Sequence, residues 1–300
     1  MQNFLNLYQK CQLCPHNCEI NRHHQQPGVC QAPAMPKIAK IMMHSWEEPC
    51  ISGTKGSGTV FFSHCNLHCV YCQNHPISHG QEGYLISESQ LAQDFLTLQS
   101  QGVHNINLVS PTPYIPSIAE ALKYARKAGL SIPVVYNTHA YELSDSLKML
   151  TGLVDIYLPD LKYADKLISH KFSGPTDYFE YAATAIQTMF EQVGPTIING
   201  DGLMEKGLLI RHLILPNYLD NSKKVLQWIG THLPKSVYVS LMSQYIPVYQ
   251  AVSFPEINRP LNQNEYDQIL DYFFDIGLEN GFMQELDSAS DRFVPDFDPN

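Results

Sequence analysis

From Thr59 onward the chain alternates short apolar runs with segments of helical periodicity, and this alternation restricts the fold more than any other feature. "TVFFS" (59–63), "NINLV" (105–109), "IPVVY" (132–136), "VDIYL" (154–158), "LLIRHLIL" (208–215) and "SVYVSLM" (236–242) each read as a buried strand. Helical patterns follow each of them. Leu91, Phe95 and Leu98 mark the first, with Ser87 and Gln90 as a capping box and Gly102 as the stop. Ile118, Leu122 and Ala125 (116–128) mark the second, Leu143, Leu147 and Leu150 the third, and Ala182, Ile186, Met189 and Val193 the fourth; helices near 222–230 and 263–276 complete the series. Continuously apolar strands that alternate with helices belong to a parallel sheet covered on its faces. Six such units make either a doubly wound sheet or a partial barrel, and in both the site lies at the carboxyl edge of the strands. Polar groups stand there: Ser63–Cys65, Ser110, Asn137 and Asp160.

With 300 residues, 44% of them hydrophobic, the chain suits one large domain or a domain with a small appendage. It divides into a cysteine-rich N-terminal extension of weak periodicity (1–50), the strand–helix region (51–286) and an acidic tail (287–300). A net charge of −10, from 19 basic and 29 acidic residues, argues against a phosphate-tracking groove and so against nucleic acid as a partner. No run approaches the roughly 18 unbroken apolar residues of a membrane span. The start, "MQNFLNLYQKCQ", lacks the basic-then-apolar order of a secretory signal, so a cytoplasmic protein without a membrane partner is expected. "GTKGSG" (53–58) precedes a strand instead of opening a helix and reads as a turn, not a phosphate loop.

The cysteines are Cys11, Cys14, Cys18, Cys30, Cys50, Cys65, Cys69 and Cys72, all in the first quarter of the chain. Thiols clustered in this way in a reducing compartment point to metal or redox chemistry instead of disulfides. In "HCNLHCVYCQN" (64–74), Cys65, Cys69 and Cys72 form C-x3-C-x2-C directly after the first strand. A [4Fe–4S] cluster normally takes four thiolates, so three leave one iron open to a small molecule. A zinc ion completed by His64, His68 or His75 is the rival reading. Cys11, Cys14, Cys18 and Cys30, spaced C-x2-C-x3-C-x11-C, suit a structural zinc ion or an auxiliary Fe–S cluster. Either metal would pin a segment with little other means of holding shape. Cys50 reads as a buried cysteine, with membership of either metal site as the alternative.

In this context the C-x3-C-x2-C motif resembles that of the radical S-adenosylmethionine superfamily. "FFSHCNLHCVYCQN", "EEPCISG", "HNINLVSPTPY", "VDIYLPDLKY" and "RHLILP" resemble, across most of the chain, the branch described as pyruvate formate-lyase activating enzyme-like. The resemblance implies a partial (β/α)6 barrel with the cysteine-rich extension at its N-terminus. It implies a [4Fe–4S] cluster whose open iron is chelated by S-adenosylmethionine. One electron then releases methionine and a 5′-deoxyadenosyl radical, which takes hydrogen from a substrate; activation of a glycyl-radical enzyme is one form of that reaction. It also implies a reductant protein such as flavodoxin or ferredoxin, and a protein or peptide among the candidate substrates.

Residue roles carried by the resemblance are as follows. Tyr71, between the second and third cysteines, lies near the adenine, or is a core aromatic supporting the loop. "PDLK" matches a D-x-K element: Asp160 and Lys162, two apart, share a strand face. Lys162 would pair with the methionyl carboxylate and Asp160 would accept from its ammonium; a salt bridge at the barrel rim is the rival. Arg211 matches an activase arginine able to hold a carboxylate in bidentate fashion, against an ordinary ion pair with Asp160. Asn137 contacts the ribose, and His212 serves local structure. Two departures stand out. "SPTP" (Ser110–Pro113) replaces a G-G-E element; Ser110 and Thr112 supply oxygens, but proline removes a backbone donor. "MSQYIP" stands where activases carry a histidine, and no role passes to Gln244 or Tyr245. No residue is assigned as catalytic. The alternative from another class is a zinc-stabilised binding or scaffold protein on a degenerate barrel, which would lack the visible absorption of an iron–sulfur centre.

Overall fold

The computed structural model describes residues 4–80, 82–286 and 297. Ten strands form it: β1 (Lys37–His44), β2 (Ser57–Phe62), β3 (Tyr84–Leu85), β4 (Ile106–Val109), β5 (Val134–Thr138), β6 (Ile156–Pro159), β7 (Ile197–Ile198), β8 (Met204–Leu213), β9 (Tyr238–Met242) and β10 (Gly281–Met283). The main sheet runs β10-β9-β8-β6-β5-β4-β2-β1-β3. From β2 through β10 every pairing along it is parallel, whereas β1 and β3 add antiparallel strands at one end. All six strands read from the sequence are present as parallel neighbours. The fold is the mixed α/β, parallel-stranded layout of a partial barrel, with the cysteine-rich segment at its N-terminus.

Side chains explain the layout. Every residue of β2, β4, β5 and β6 is buried, so these strands must be covered on both faces. Helices Glu88–Ser100, Ile115–Lys127, Tyr178–Val193, Leu219–His232 and Gln263–Asp275 provide the cover. Each presents an apolar stripe, such as Leu91, Phe95 and Leu98 on the first and Ala182, Ile186, Met189 and Val193 on the fourth. Gly58 permits the closest approach on β2: a Cβ there would lie 3.0 Å from Leu98 Cβ and 3.0 Å from Val103 Cγ2.

Several local expectations are corrected. The pattern Leu143, Leu147, Leu150 gives only one α-turn, Ser144–Leu147, followed by a 3-10 turn, Lys148–Leu150. Leu147 and Leu150 are buried without a longer helix, because the chain turns at once into β6. The capping box at Ser87 is half formed. Ser87 accepts from the Gln90 N–H, while the Gln90 side chain turns outward to Asp94. The full box is at Asn262 and Glu265. A helix at Lys166–Ser173 was not anticipated. β1 falls within the segment 1–50 and is part of the main sheet. The acidic tail 287–300 lies, apart from Phe297, outside the described residues.

Candidate active site

The loop after β2 carries the three thiols. His64 has a left-handed backbone (φ 72°), and its N–H donates to Ile77 O (2.8 Å), which turns the chain sharply off the strand. Ser110 (φ 57°) and Ala140 (φ 63°) take the same uncommon conformation beyond the ends of β4 and β5. Val70 N–H to Phe172 O (2.9 Å) and Asn66 Nδ2 to Tyr141 O (3.0 Å) fasten the loop to the following layers. Cys65, Cys69 and Cys72 thereby point into one cavity of about 430 Å³, shared with Tyr71, Asp160, Lys162 and Arg211.

Each thiol sulfur has a hydrogen-bond partner. Cys65 Sγ accepts from Leu67 N–H (3.4 Å), Cys69 Sγ accepts from the Ser173 hydroxyl (3.0 Å), and Cys72 Sγ lies 3.2 Å from the Ser78 hydroxyl. Burial pushes all three thiols up, that of Cys72 to about 11, and the Lys162 ammonium draws all three down. A metal that compensates the charge of three thiolates would take the place of those protons. The donor set therefore fits an iron–sulfur cluster: three convergent thiols, each with a partner, beside a cation. The histidines weighed as a fourth zinc ligand each have a partner of their own. The His68 ring meets Val29 O (3.3 Å). That of His75 meets Cys72 O (3.2 Å) and stacks on Tyr249 at 4.7 Å. Burial depresses His64 to about 4, with a backbone bond to Cys30 opposing. Among the described residues no group of three or more His, Cys, Asp or Glu is placed to hold a single metal ion.

Tyr71 is buried behind the thiols. Its hydroxyl lies 2.5 Å from that of Tyr163, which lies 2.7 Å from Ser173 Oγ, the donor to Cys69. Its ring meets Tyr245 edge-on at 5.8 Å. The chain from Tyr71 to Cys69 thus sets the orientation of the Cys69 sulfur.

Asp160 and Lys162 follow β6, and a parallel bridge joins Asp160 to Arg211 of β8. Lys162 Nζ lies 2.7 Å from Asp160 Oδ2, and Arg211 Nε donates to Asp160 Oδ1 at 2.7 Å. The two cations hold the Asp160 carboxyl down at about 2 in spite of its burial. Arg211 also donates to Glu47 Oε2 (3.0 Å) and Asn137 Oδ1 (2.6 Å). Asn137 in turn donates to Glu47 Oε1 (3.1 Å). The anticipated Arg211–Asp160 ion pair is therefore present, and Asn137 braces it. His212 is structural: its ring nitrogens meet Leu161 O (2.7 Å) and Ser222 Oγ (2.9 Å), and burial keeps it neutral by lowering it to about 4. Thr112 and Tyr136 donate to the buried Glu142. Cys50 is buried, as expected.

Sequence reasoning gave no role to Glu47, Glu48, Tyr163, Ser173 or Ser240. Two adjacent carboxylates ahead of a proline, between strands, were the available signal for the first pair.

The four N-terminal thiols are close enough to influence one another: Cys30, Cys11 and Cys18 each oppose ionisation of Cys14, whose thiol burial pushes up to about 12. Gly28 leaves room for Cys18, since a Cβ there would lie 3.2 Å from its sulfur. Arg22, 2% exposed, lies under this group. It donates to the carbonyls of Ala32, Pro113 and Pro33, and its guanidinium sits 4.5 Å from the Tyr8 ring centre. His16 Nε2, 2.7 Å from Asn66 O, ties this segment to the loop of Cys65 and Cys69.

The family model of the radical SAM superfamily matches residues 59–204. The chain is 31% identical, over 277 residues, to uncharacterized protein MJ0674 of Methanocaldococcus jannaschii, covering 89% of this chain and 75% of that one. Streptococcus suis SuiB bound to precursor peptide SuiA has a similar fold, with a TM-score of 0.53 at 14% identity over 75% of this chain and 48% of that chain. HydG, a maturase of the [FeFe]-hydrogenase, gives a TM-score of 0.50 at 15% identity over 73% of this chain and 48% of its own. The chain spans about half the length of these two solved structures.

Proposed function

The chain belongs to the radical SAM superfamily, and from that premise we propose that it is an enzyme holding a [4Fe–4S] cluster on Cys65, Cys69 and Cys72, with S-adenosylmethionine beside it. Bound together, the two supply a one-electron cleavage of the sulfonium and a 5′-deoxyadenosyl radical that takes hydrogen from the substrate. The observation that carries this reading is the set of three buried thiols beyond the first parallel strand, each with its own hydrogen-bond partner and all under the field of Lys162.

The protein's part is to position and to shield. Leu67 N–H and the Ser173 and Ser78 hydroxyls stabilise charge on the ligating sulfurs. Lys162 would pair with the methionyl carboxylate and Asp160 would accept from its ammonium, while Arg211 keeps Asp160 ionised. Tyr71 offers its ring to the adenine. Asn137 Nδ2 carries a second hydrogen that a ribose hydroxyl can accept. The substrate is a protein or peptide, of which a glycyl-radical enzyme is one form. The D-x-K element supports this, as does the likeness in fold to SuiB, a protein bound to a precursor peptide. A small protein reductant, flavodoxin or ferredoxin in type, delivers the electron. The thiols of Cys11, Cys14, Cys18 and Cys30 would hold a second metal, zinc or an auxiliary cluster, by drawing together from the spacing described above. Its support is Arg22, a buried cation whose hydrogen bonds go to carbonyls and whose charge bound thiolates would match.

The test is iron and sulfide analysis, with visible spectra, after anaerobic reconstitution. Wild type should be brown, and the Cys65→Ala/Cys69→Ala/Cys72→Ala variant should lose that absorption and the matching iron while remaining folded. Full retention of iron and sulfide would refute the assignment.

A further inference from the structure

One carboxyl group in the cavity has a buried oxygen without a hydrogen-bond partner. Glu47 and Glu48 lie between β1 and β2, where the single turn Pro49–Ser52 fixes them: Ile51 and Ser52 N–H donate to Glu48 O (2.8 and 3.0 Å), and Glu47 N–H donates to Ser52 Oγ (3.0 Å). Both side chains then project toward β8 and β9. Glu47 is fully engaged by Asn107, Asn137 and Arg211. Glu48 lines the same cavity and is 8% exposed, yet its Oε2 has no hydrogen-bond partner. The buried Ser240 hydroxyl of β9 faces the Glu48 carboxyl and favours its ionised form, short of full hydrogen-bond geometry.

Burial pushes the Glu48 carboxyl up, with Arg211 opposing and Glu47 adding to the rise, and both cations of the cavity, Lys162 and Arg211, are already hydrogen-bonded to Asp160 or Glu47. His44 and His139 also line the cavity, and burial keeps both neutral, His139 at about 3. A buried carboxyl oxygen without a donor in hydrogen-bond geometry is costly, and a bound cation would supply one and favour the ionised form.

We propose that Glu48, with Ser240 beside it, is a subsite for a basic nitrogen of the substrate, an ammonium or a guanidinium. The inference rests on the cavity being that of the proposed radical enzyme. S-adenosylmethionine is itself cationic, but the position separates the two. Asp160 is bridged to Arg211 of β8 and Arg211 pairs with Ser240 of β9, so Ser240 lies two strands beyond the Asp160–Lys162 pair, on the side away from β2 and the thiol loop. Trp46, Met242, Phe282 and Met283 line this side, which suits the aliphatic stem of a basic side chain.

The probes are methylguanidinium and its neutral counterpart N-methylurea. Each is titrated calorimetrically into the full chain, first without cofactors and then after cluster reconstitution with S-adenosylmethionine present. Wild type should bind the cation and prefer it to the urea by about ten- to a hundredfold, the weight of one charge-assisted contact. Glu48→Gln, which keeps the shape, should lose that preference with its melting curve and its affinity for S-adenosylmethionine unchanged. Ser240→Ala should weaken the cation less. Three results would each overturn the proposal: no cation binding by wild type, equal binding by wild type and Glu48→Gln, or a parallel loss of S-adenosylmethionine affinity that makes Glu48 a cofactor contact. Failure of the radical reading shows separately, as no S-adenosylmethionine binding to wild type, while the titration without cofactors still reports on Glu48.

Discussion

Replacing Asp160 with asparagine tests the central ion network, because the structure sets both the size and the pH dependence of the effect. The side chain is 15% exposed and holds Lys162 and Arg211 at 2.7 Å each. Lowering its carboxyl from 3.8 to about 2 corresponds to about 2.5 kcal/mol of folding stability. Because the folded value is the depressed one, that stability is complete above about pH 4 and is lost as pH falls through about 2. Arg211 keeps Glu47 and Asn137 in the variant, so Lys162 is the cation left stranded. The loss at neutral pH should therefore be about 2.5 kcal/mol, rising toward the 3–5 kcal/mol expected when a buried pair loses one partner. Urea unfolding of wild type and Asp160→Asn from pH 7 downward measures it. The gap should be constant to about pH 4 and close below that. A loss under about 1 kcal/mol at pH 7, or a gap that stays constant as the acid form takes over, would refute the reasoning.

Three further outcomes follow from the same geometry. Lys162→Ala should weaken S-adenosylmethionine binding to the reconstituted protein by about ten- to a hundredfold with iron content unchanged; equal affinity by titration would leave Lys162 a rim brace only. Metal analysis of the Cys65→Ala/Cys69→Ala/Cys72→Ala protein should still find zinc or iron on the N-terminal thiols, and finding neither under metal-sufficient anaerobic preparation would count against that site. Glu142, raised by burial from 4.5 to about 7, costs stability as pH rises through that interval, so melting curves of wild type should fall from about pH 4.5 to about 7 relative to those of Glu142→Gln; parallel curves would contradict the assignment.

The parallel strands were legible because burial on both faces leaves runs with almost no polar interruption, as in "TVFFS" and "IPVVY". β1 was not. "KIAKIMMH" pairs antiparallel with β2 and is only partly buried, so lysines interrupt it. The helix Lys166–Ser173 carried ordinary signals, Asp165 accepting from Leu167 N–H at its start and Gly174 at its end, but its apolar stripe is too short to stand out. At the site, the cysteine spacing and the D-x-K element could be read directly. Arg211's ion pair with Asp160 was one of two readings, but its bonds to Glu47 and Asn137 could not be read, since they join β8 to β5 and to the turn after β1. Glu47 and Glu48 were hidden for the same kind of reason: a single turn, not any periodicity, points them inward.

The measurement that bears most directly on the account is 5′-deoxyadenosine formed when the anaerobically reconstituted protein is given S-adenosylmethionine and a strong reductant. Wild type should release 5′-deoxyadenosine and methionine in equal amounts, and the Cys65→Ala/Cys69→Ala/Cys72→Ala variant should release neither. A wild-type protein with its cluster intact and reduced that forms no 5′-deoxyadenosine, even with cell extract added as a source of substrate, would contradict it.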